Sequence, residues 1–169
     1  EWAECRQGVI TGSRAKDARD FDKGGKPIAK RLGYAMDLAR QRCGGKVLEG
    51  YINAAMRLGH EEEQFAAIEY VARTGARIDE AYFITTPDRK FGVSLDRWVG
   101  TERKAALEIK TMVSSATLFK AMVGEDISEY RDQCVFAIWL LRLDWVDLCL
   151  WCPDLQRLHV IRVNRDEAE

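Results

Sequence analysis

Two short segments in the middle of the chain alternate apolar and polar residues in the way that β-strands do. In Val93-Ser94-Leu95-Asp96, the two apolar side chains face one way and the two polar side chains face the other. Leu107-Glu108-Ile109-Lys110 repeats the pattern. If the two strands pair, two carboxylates, an ammonium and a hydroxyl lie on one β-surface with an apolar backing. Such a surface suits a divalent metal ion and a phosphate group.

Length and composition limit the class of protein. The 169 residues predict a single domain, residues 1–169, that is large enough to bury a core. With 47% hydrophobic and 31% charged residues and no low-complexity stretch, the chain is expected to be folded and water-soluble. The longest apolar run, 134–141, is too short to cross a bilayer, so we expect no membrane partner.

The five cysteines form an odd set in a chain with ample core, which predicts free thiols in a reducing cytoplasm. Cys149 and Cys152 have the spacing of a metal or redox pair. In an extended segment, however, residues three positions apart point to opposite faces. We therefore interpret these two cysteines as core thiols.

The net charge of −1 is not typical of a DNA-binding protein. Basic residues nevertheless outnumber acidic ones within residues 1–60. Phosphate affinity depends on the local potential and not on the total charge. The charge distribution therefore permits binding to a nucleic acid without establishing it.

Residue periodicity predicts a β-sheet flanked by helices, either α/β or α+β. The predicted strands are 77–85, 90–96, 103–111, 145–151 and 158–163. The predicted helices are 14–19, 28–42, 48–72, 114–122 and 128–141.

The predicted helix 48–72 is expected to break or bend near Gly59. Its second half then begins with the acidic residues 61–63, which suit the first turn of a helix because of the macrodipole. The predicted buried stripe consists of Phe65, Ile68, Val71 and Ala72.

Thr11-Gly12-Ser13 is typical of a helix start. Two interpretations stay open. Thr11 or Ser13 can be a plain N-cap, or the hydroxyls and backbone N–H groups can bind an anion.

The polar residues of the two alternating segments match the needs of phosphodiester hydrolysis. Asp96 and Glu108 are candidate ligands for a metal that activates water, and Lys110 can orient or deprotonate that water. An Asp…Glu-x-Lys pattern also occurs by chance, and an exposed polar hairpin face explains it equally well. The chain has only two histidines for a zinc hydrolase site. It also has no phosphate-binding glycine loop of the nucleotide-binding kind and no Gly-x-Ser-x-Gly elbow for a Ser-His-Asp site.

Five motifs in order give the chain a resemblance to the phage lambda exonuclease branch (YqaJ-type viral recombinases) of the PD-(D/E)xK nucleases. The motifs are Trp2…Arg6-Gln7-Gly8-Val9-Ile10-Thr11-Gly12-Ser13, Gly59-His60-Glu61-Glu62-Glu63, Ser94-Leu95-Asp96, Leu107-Glu108-Ile109-Lys110 and Tyr130-Arg131-Asp132-Gln133. The sequence departs from the family pattern at Leu95, where the family usually has proline. The resemblance implies a restriction-endonuclease-like core, a central mixed sheet flanked by helices.

The resemblance also implies a metal centre. Asp96, Glu108 and the Ile109 carbonyl are expected to bind one Mg²⁺, and Glu63 with Asp96 a second, with Mn²⁺ able to substitute. Lys110 is expected to position the attacking water.

Other side chains receive roles from the same resemblance. Gln133, with Tyr130 nearby, is expected to support Lys110. Arg6, Ser13 and Ser94 are expected to form a pocket for a 5′-phosphate.

The implied activity is 5′→3′ digestion of one strand of double-stranded DNA from a 5′-phosphorylated end to mononucleotides, for single-strand-annealing recombination. Met56 falls where the family has an apolar wedge that separates the strands. The implied assembly is a homotrimer ring that works with a single-strand annealing protein in the cytoplasm of a bacterial host, with a phage or prophage origin. Two alternatives stay open: a related endonuclease or junction-cleaving enzyme, and a nuclease-dead scaffold that binds DNA ends.

Overall fold

The computed structural model describes residues 2–46, 54–123 and 126–167. Its helices are α1 (Trp2–Cys5), α2 (Ala15–Arg19), α3 (Ala29–Arg42), α4 (Ala54–Thr74), α5 (Ser115–Val123) and α6 (Arg131–Leu141). Its strands are β1 (Ile10–Thr11), β2 (Ile78–Glu80), β3 (Phe83–Thr85), β4 (Phe91–Ser94), β5 (Arg97–Val99), β6 (Ala105–Thr111), β7 (Trp145–Cys152) and β8 (Arg157–Asn164).

The strands form two sheets. The larger sheet has the order β2-β5-β6-β7-β8, in which β6 and β7 are parallel and the other neighbours antiparallel. The smaller sheet has the order β1-β4-β3, with β1 parallel to β4. The expected mixed sheet flanked by helices is therefore confirmed.

The larger sheet lies between two apolar layers. Alternate residues of β6 and β7, such as Ala106 and Leu148, pack with α6 on one face. Leu107, Ile109 and their neighbours pack with α4 on the other. Because side chains alternate along a strand, Glu108 and Lys110 belong to the α6 face.

The two alternating segments do not pair as neighbouring strands. β4 ends at Ser94 in the smaller sheet, whereas β6 belongs to the larger one. A strand that the sequence did not predict, β5, takes the place beside β6, with Arg97 opposite Leu107. Asp96 still reaches β6, because its backbone N–H donates to the Leu107 carbonyl at 3.3 Å. The predicted burial alternation holds, since Val93 and Leu95 are buried and the two polar residues only partly so.

The predicted strand 77–85 is in fact two strands that belong to different sheets. Glu80 of β2 pairs with Arg97 in the larger sheet, and Phe83 of β3 pairs with Ser94 in the smaller one. The chain therefore passes from the larger sheet to the smaller one between β2 and β3. It passes back between β4 and β5, and the two connections lie side by side. The exposed Tyr82, at 75% exposure, lies at the crossing.

The interpretation of the long acidic helix also needs correction. α4 continues through Gly59, so the three acids lie inside a helix and not in its first turn. The predicted stripe of Phe65, Ile68, Val71 and Ala72 is exposed. The buried face is Ala66, Ala67 and Tyr70, because two alanines let the helix approach the sheet closely. The predicted helical residues 48–53 lie outside the described residues.

The cysteine interpretation is confirmed, since Cys149 and Cys152 are buried free thiols on β7. Within the described residues, no helix combines the length and the apolar character needed to cross a membrane.

Candidate active site

The candidate site lies where two parallel strands end together. β1 and β4 are parallel neighbours, so their carboxyl ends meet at one edge of the smaller sheet. Ser13 follows β1, Ser94 ends β4, and Asp96 follows β4. The fold therefore brings two hydroxyls and a carboxylate from distant parts of the sequence to the same edge.

Glu108 is the most buried carboxylate of the site, at 4% exposure. Lys110 Nζ and Gln133 Nε2 each donate to its Oε1 atom at 2.6 Å. Because both donors use one oxygen, the second carboxylate oxygen can face a cation. Burial raises the pKa of Glu108, with Lys110 opposing the shift.

Asp96 stands beside Glu108, held by a hydrogen bond from the backbone N–H of Ile109 to Oδ2 at 2.6 Å. Burial, and next the negative charge of Glu108, raise the pKa of Asp96 to about 8. Two adjacent, poorly solvated carboxylates resist carrying two charges unless a cation accompanies them. This arrangement is the observation that fits the residues to a divalent metal ion.

Lys110 contributes a fixed positive charge. Burial lowers the pKa of its ammonium, but the Glu108 carboxylate beside it and the more distant Asp96 raise it by more, so that the pKa lies above its ordinary value. A lysine in this state holds its proton at neutral pH. In the metal-free protein, the ammonium form of Lys110 therefore stands beside the carboxylate pair.

Glu63 approaches the same centre from α4. It borders a cavity of about 300 Å³ together with Ile109, Lys110, Thr111 and residues of the preceding helical turn. The Arg97 guanidinium donates to Glu63 Oε1 and also, through the same Nη1 atom, to the Asp96 carbonyl at 2.5 Å. The third carboxylate therefore already has a cationic partner.

The three neighbouring acidic residues of α4 have different surroundings in the structure. Glu62 accepts a hydrogen bond from the buried indole of Trp151 at 2.8 Å and so attaches α4 to β7. Glu61 is exposed, and Glu63 borders the site. Among the described residues, no group of three or more His, Cys, Asp or Glu side chains is arranged as a complete metal cluster. Glu63 differs from Asp96 in that its carboxylate is paired with a guanidinium, whereas the Asp96 carboxylate accepts a backbone N–H.

The predicted phosphate-pocket residues also converge. Arg6 Nη2 donates to Ser13 Oγ at 3.1 Å, and the guanidinium lies 5.4 Å from the centre of the Phe83 ring. Phe83 is the cross-strand partner of Ser94, so Arg6 and Ser94 are both neighbours of this residue. Burial lowers the pKa of Arg6, which marks a guanidinium with incomplete solvation.

The turn before Ser13 joins the two parts of the site. A β-carbon added to Gly12 would lie 3.3 Å from Val93 Cγ2 and 3.8 Å from Gln133 Cγ. Gly12 thus permits the hydroxyl-bearing turn to pack against α6 at the residue that holds Glu108. The arginine–serine pocket and the carboxylate pair are therefore neighbours.

The helix-cap interpretation of this turn is wrong. Thr11 precedes a short 3₁₀ turn, Gly12–Arg14, and neither Thr11 nor Ser13 caps a helix with its side chain. The two hydroxyl oxygens lie 3.4 Å apart instead. The alternative interpretation, an anion-binding turn, stays a prediction.

The structure relates two further predicted residues, Tyr130 and Met56, less directly to the candidate site. Tyr130 immediately precedes α6, and burial raises the pKa of its hydroxyl, with Lys110 close enough to oppose the shift. Met56 lies on α4, but its side chain falls outside the described part of the structure.

Sequence reasoning missed two sets of residues. The first is Arg97, whose position next to Asp96 was the available signal. The second is a buried network in which Tyr70 donates to Asp147 at 2.8 Å and Arg162 donates to the same carboxylate at 2.8 and 2.9 Å. No sequence pattern joins those three positions, because they meet only when α4 packs on the sheet.

The fold and the arrangement of Asp96, Glu108 and Lys110 on it define a PD-(D/E)xK nuclease fold. The profile of the YqaJ-like viral recombinase domain matches residues 1–140. The chain belongs to this family.

Solved structures agree. An alkaline exonuclease from Laribacter hongkongensis (LHK-Exo) is 29% identical with a TM-score of 0.81, over 99% of this chain and 82% of that one. The same enzyme in complex with dAMP gives a TM-score of 0.80 at 29% identity, over 99% and 83% of the two chains. A phage-related exonuclease from Haemophilus somnus 129PT, at 15% identity, shares the fold with a TM-score of 0.74, over 95% and 86%. A search of curated proteins found no match.

Proposed function

We propose that the protein is a Mg²⁺-dependent 5′→3′ exodeoxyribonuclease that digests one strand of double-stranded DNA to mononucleotides. The observation that carries the proposal is the poorly solvated pair Asp96 and Glu108 beside the Lys110 ammonium, with Arg6 hydrogen-bonded to Ser13 at the same edge of the smaller sheet. The similar LHK-Exo is an alkaline exonuclease, and its complex with dAMP supports a mononucleotide product here.

Asp96, Glu108 and the Ile109 carbonyl would hold one Mg²⁺, and Glu63 with Asp96 a second. Oxygen ligands of this kind suit Mg²⁺, and Mn²⁺ accepts the same set. When bound, the ions supply a Lewis acid for the phosphate and a more acidic water.

The residues of the chain contribute orientation and charge. The Lys110 ammonium is fixed by Glu108 and faces the carboxylate pair, where it can orient the attacking water and stabilise negative charge on the phosphate. The Gln133 amide fixes Glu108 from α6, so the carboxylate keeps one orientation. Each group acts from a rigid helix or strand, which reduces the reorganisation needed during reaction.

The arginine–serine pocket explains selection of a DNA end. Arg6 provides a guanidinium, and Ser13 and Ser94 provide hydroxyl donors, which together match the oxygens of a terminal phosphate. The neighbouring carboxylate centre would then act on the next phosphodiester. A pocket that requires a terminus favours an exonuclease over the alternative of an endonuclease or junction-cleaving enzyme.

The wider assembly is also part of the proposal. We propose a homotrimer ring around the DNA, Met56 as a strand-separating wedge, and a single-strand annealing protein as partner, acting in the cytoplasm of a bacterial host. Light scattering of the purified protein tests the ring, because a trimer has the mass of three chains. A mass of one chain would contradict it.

Digestion assays on two DNA forms test the proposed activity. Linear duplex DNA with 5′-phosphate ends should be degraded with Mg²⁺ and not with EDTA, while covalently closed circles stay intact. Cleavage of closed circles would favour the endonuclease alternative. Failure to release nucleotides from linear DNA with Mg²⁺ would favour the nuclease-dead scaffold.

A further inference from the structure

Arg97 occupies a position that the proposed mechanism does not use. Its Nη1 atom bridges the Glu63 carboxylate and the Asp96 backbone carbonyl. Glu63 and Asp96 are the same two residues that the proposed function assigns to the second metal ion. A protein cation therefore pairs with one of the two carboxylates of that ion and with the backbone of the residue that carries the other.

The contact is partly shielded from solvent. The side chains of Arg97 and Glu63 are 23% and 21% exposed, so neither is a freely hydrated surface charge. An ion pair in such a position is stronger than an exposed one, and a competing cation must offset its loss. The His60 imidazole is held loosely, since its Nδ1 lies 4.0 Å from Glu63 Oε2 and its side chain is 90% exposed.

The cation at the first metal position is Lys110, whose ion pair with Glu108 is at least as shielded but is kept in place by the proposed mechanism. The Asp96 carboxylate accepts a neutral backbone N–H, and Lys110 and Gln133 share one oxygen of Glu108. A cation can therefore approach this carboxylate pair without displacing a guanidinium. The two metal positions differ in what must move before an ion binds.

We propose that Arg97 is a resident counter-cation that a divalent ion must displace from Glu63, so that the two metal positions fill in order. The Asp96–Glu108 position fills first, and the Glu63 position fills only at higher ion concentration. This inference rests on the proposed function, because it concerns the same metal centre.

Titration with Mn²⁺ in the absence of DNA tests the order. Calorimetry of the wild-type protein should show a tighter and a weaker binding event, and E63Q should lose the weaker one. R97M should tighten the weaker event roughly tenfold or more, since the guanidinium no longer competes. R97M should leave the tighter event unchanged.

Three control variants make the result specific. R97K keeps a positive charge and should keep the weaker event weak. R77M removes an exposed arginine, which contacts Asp79 on β2, and should change neither event. In the double variant E63Q/R97M, the tighter second Mn²⁺ binding event that R97M alone produces should be absent. Circular dichroism and the melting temperature establish that each variant is folded.

Two results would separate this inference from the proposed function. If D96N and E108Q both leave Mn²⁺ binding unchanged, the proposed metal centre itself is wrong. If those variants abolish the tighter event but R97M binds the second ion no better than the wild-type protein, only the role of Arg97 is wrong. Equal affinity of the two events in the wild-type protein would also overturn ordered loading.

Discussion

At the scale of single residues, the site depends on a few charges that burial makes unusual. Glu108 is almost fully buried, Asp96 lies beside it, and Lys110 is fixed between helix and strand. Each charge is tolerable only because of its neighbours. Substitutions here should therefore affect chemistry and electrostatics before they affect the fold.

Lys110→Ala should lower the rate of DNA digestion by roughly a hundredfold or more, because it removes the charge that orients water and stabilises the phosphate. DNA binding should persist, since the arginine–serine pocket is unchanged. The matched control is Lys104→Ala, whose side chain is 63% exposed and lies 3.9 Å from Glu102. Digestion by Lys110→Ala at the wild-type rate would remove the lysine from the mechanism.

The metal-free protein should lose stability as pH rises toward 8. The pKa of Asp96 is about 8 in the folded protein against an ordinary value of 3.8. The folded state therefore binds the proton more tightly, so this stabilisation is complete below about pH 4 and disappears as pH passes through about 8.

Melting temperatures measured in EDTA between pH 5 and 9, roughly the window that these pKa values define, check this dependence. Asp96→Asn should flatten the curve, and Mg²⁺ should raise the melting temperature more at the alkaline end. An Asp96→Asn variant with the same pH slope as the wild-type protein would contradict the assignment.

At the scale of elements, α4 matters because it carries Glu63 and is attached to the sheet by polar contacts. Tyr70 and Glu63 are seven residues apart and so lie on the same face of the helix. Tyr70 contacts Asp147, and Glu62 contacts Trp151. Both contacts join α4 to β7 and set the depth at which Glu63 meets β6.

Tyr70→Phe should destabilise the protein by about 1–3 kcal/mol, because it deprives the buried Asp147 of one hydrogen bond. Urea unfolding provides the measurement. Tyr82→Phe is the matched control, since Tyr82 is 75% exposed and should show almost no change. Equal stability of the two variants would argue that the Tyr70 hydroxyl contributes nothing to holding α4.

Prediction from the sequence succeeded for the direction of side chains along a strand and failed for the choice of neighbouring strands in the sheets. Strand alternation placed Glu108 and Lys110 on one face and buried Val93 and Leu95, because side-chain direction has a period of two. The strand beside β6 was missed, because β5 is only three residues long and gives too short a pattern to recognise.

The buried face of helix α4 was also predicted wrongly. Large apolar residues such as Phe65 and Ile68 predicted its buried face, whereas packing distance selected Ala66 and Ala67. The bridge from Arg97 to Glu63 likewise depends on how α4 meets β5. Neither feature can be obtained from periodicity, since both depend on contacts between elements distant in sequence.

At the scale of the whole molecule, the two sheets meet where the chain crosses from β4 to β5. The crossing places Ser94 in the phosphate pocket and Asp96 in the carboxylate centre, only two residues apart. In the proposed function, recognition of the end and the chemistry are therefore joined through one short backbone segment. Leu95, buried between them at 4% exposure, fills the position where the family usually has proline.

The central claim is that this joined site recognises a 5′-phosphorylated DNA end, and digestion of two matched duplexes tests it directly. The duplexes differ only in a 5′-phosphate or a 5′-hydroxyl, and release of mononucleotide is followed with Mg²⁺ and with EDTA. We expect Mg²⁺-dependent release that is much faster from the phosphorylated duplex, with the difference reduced in Arg6→Gln. Equal rates on the two duplexes would contradict the account.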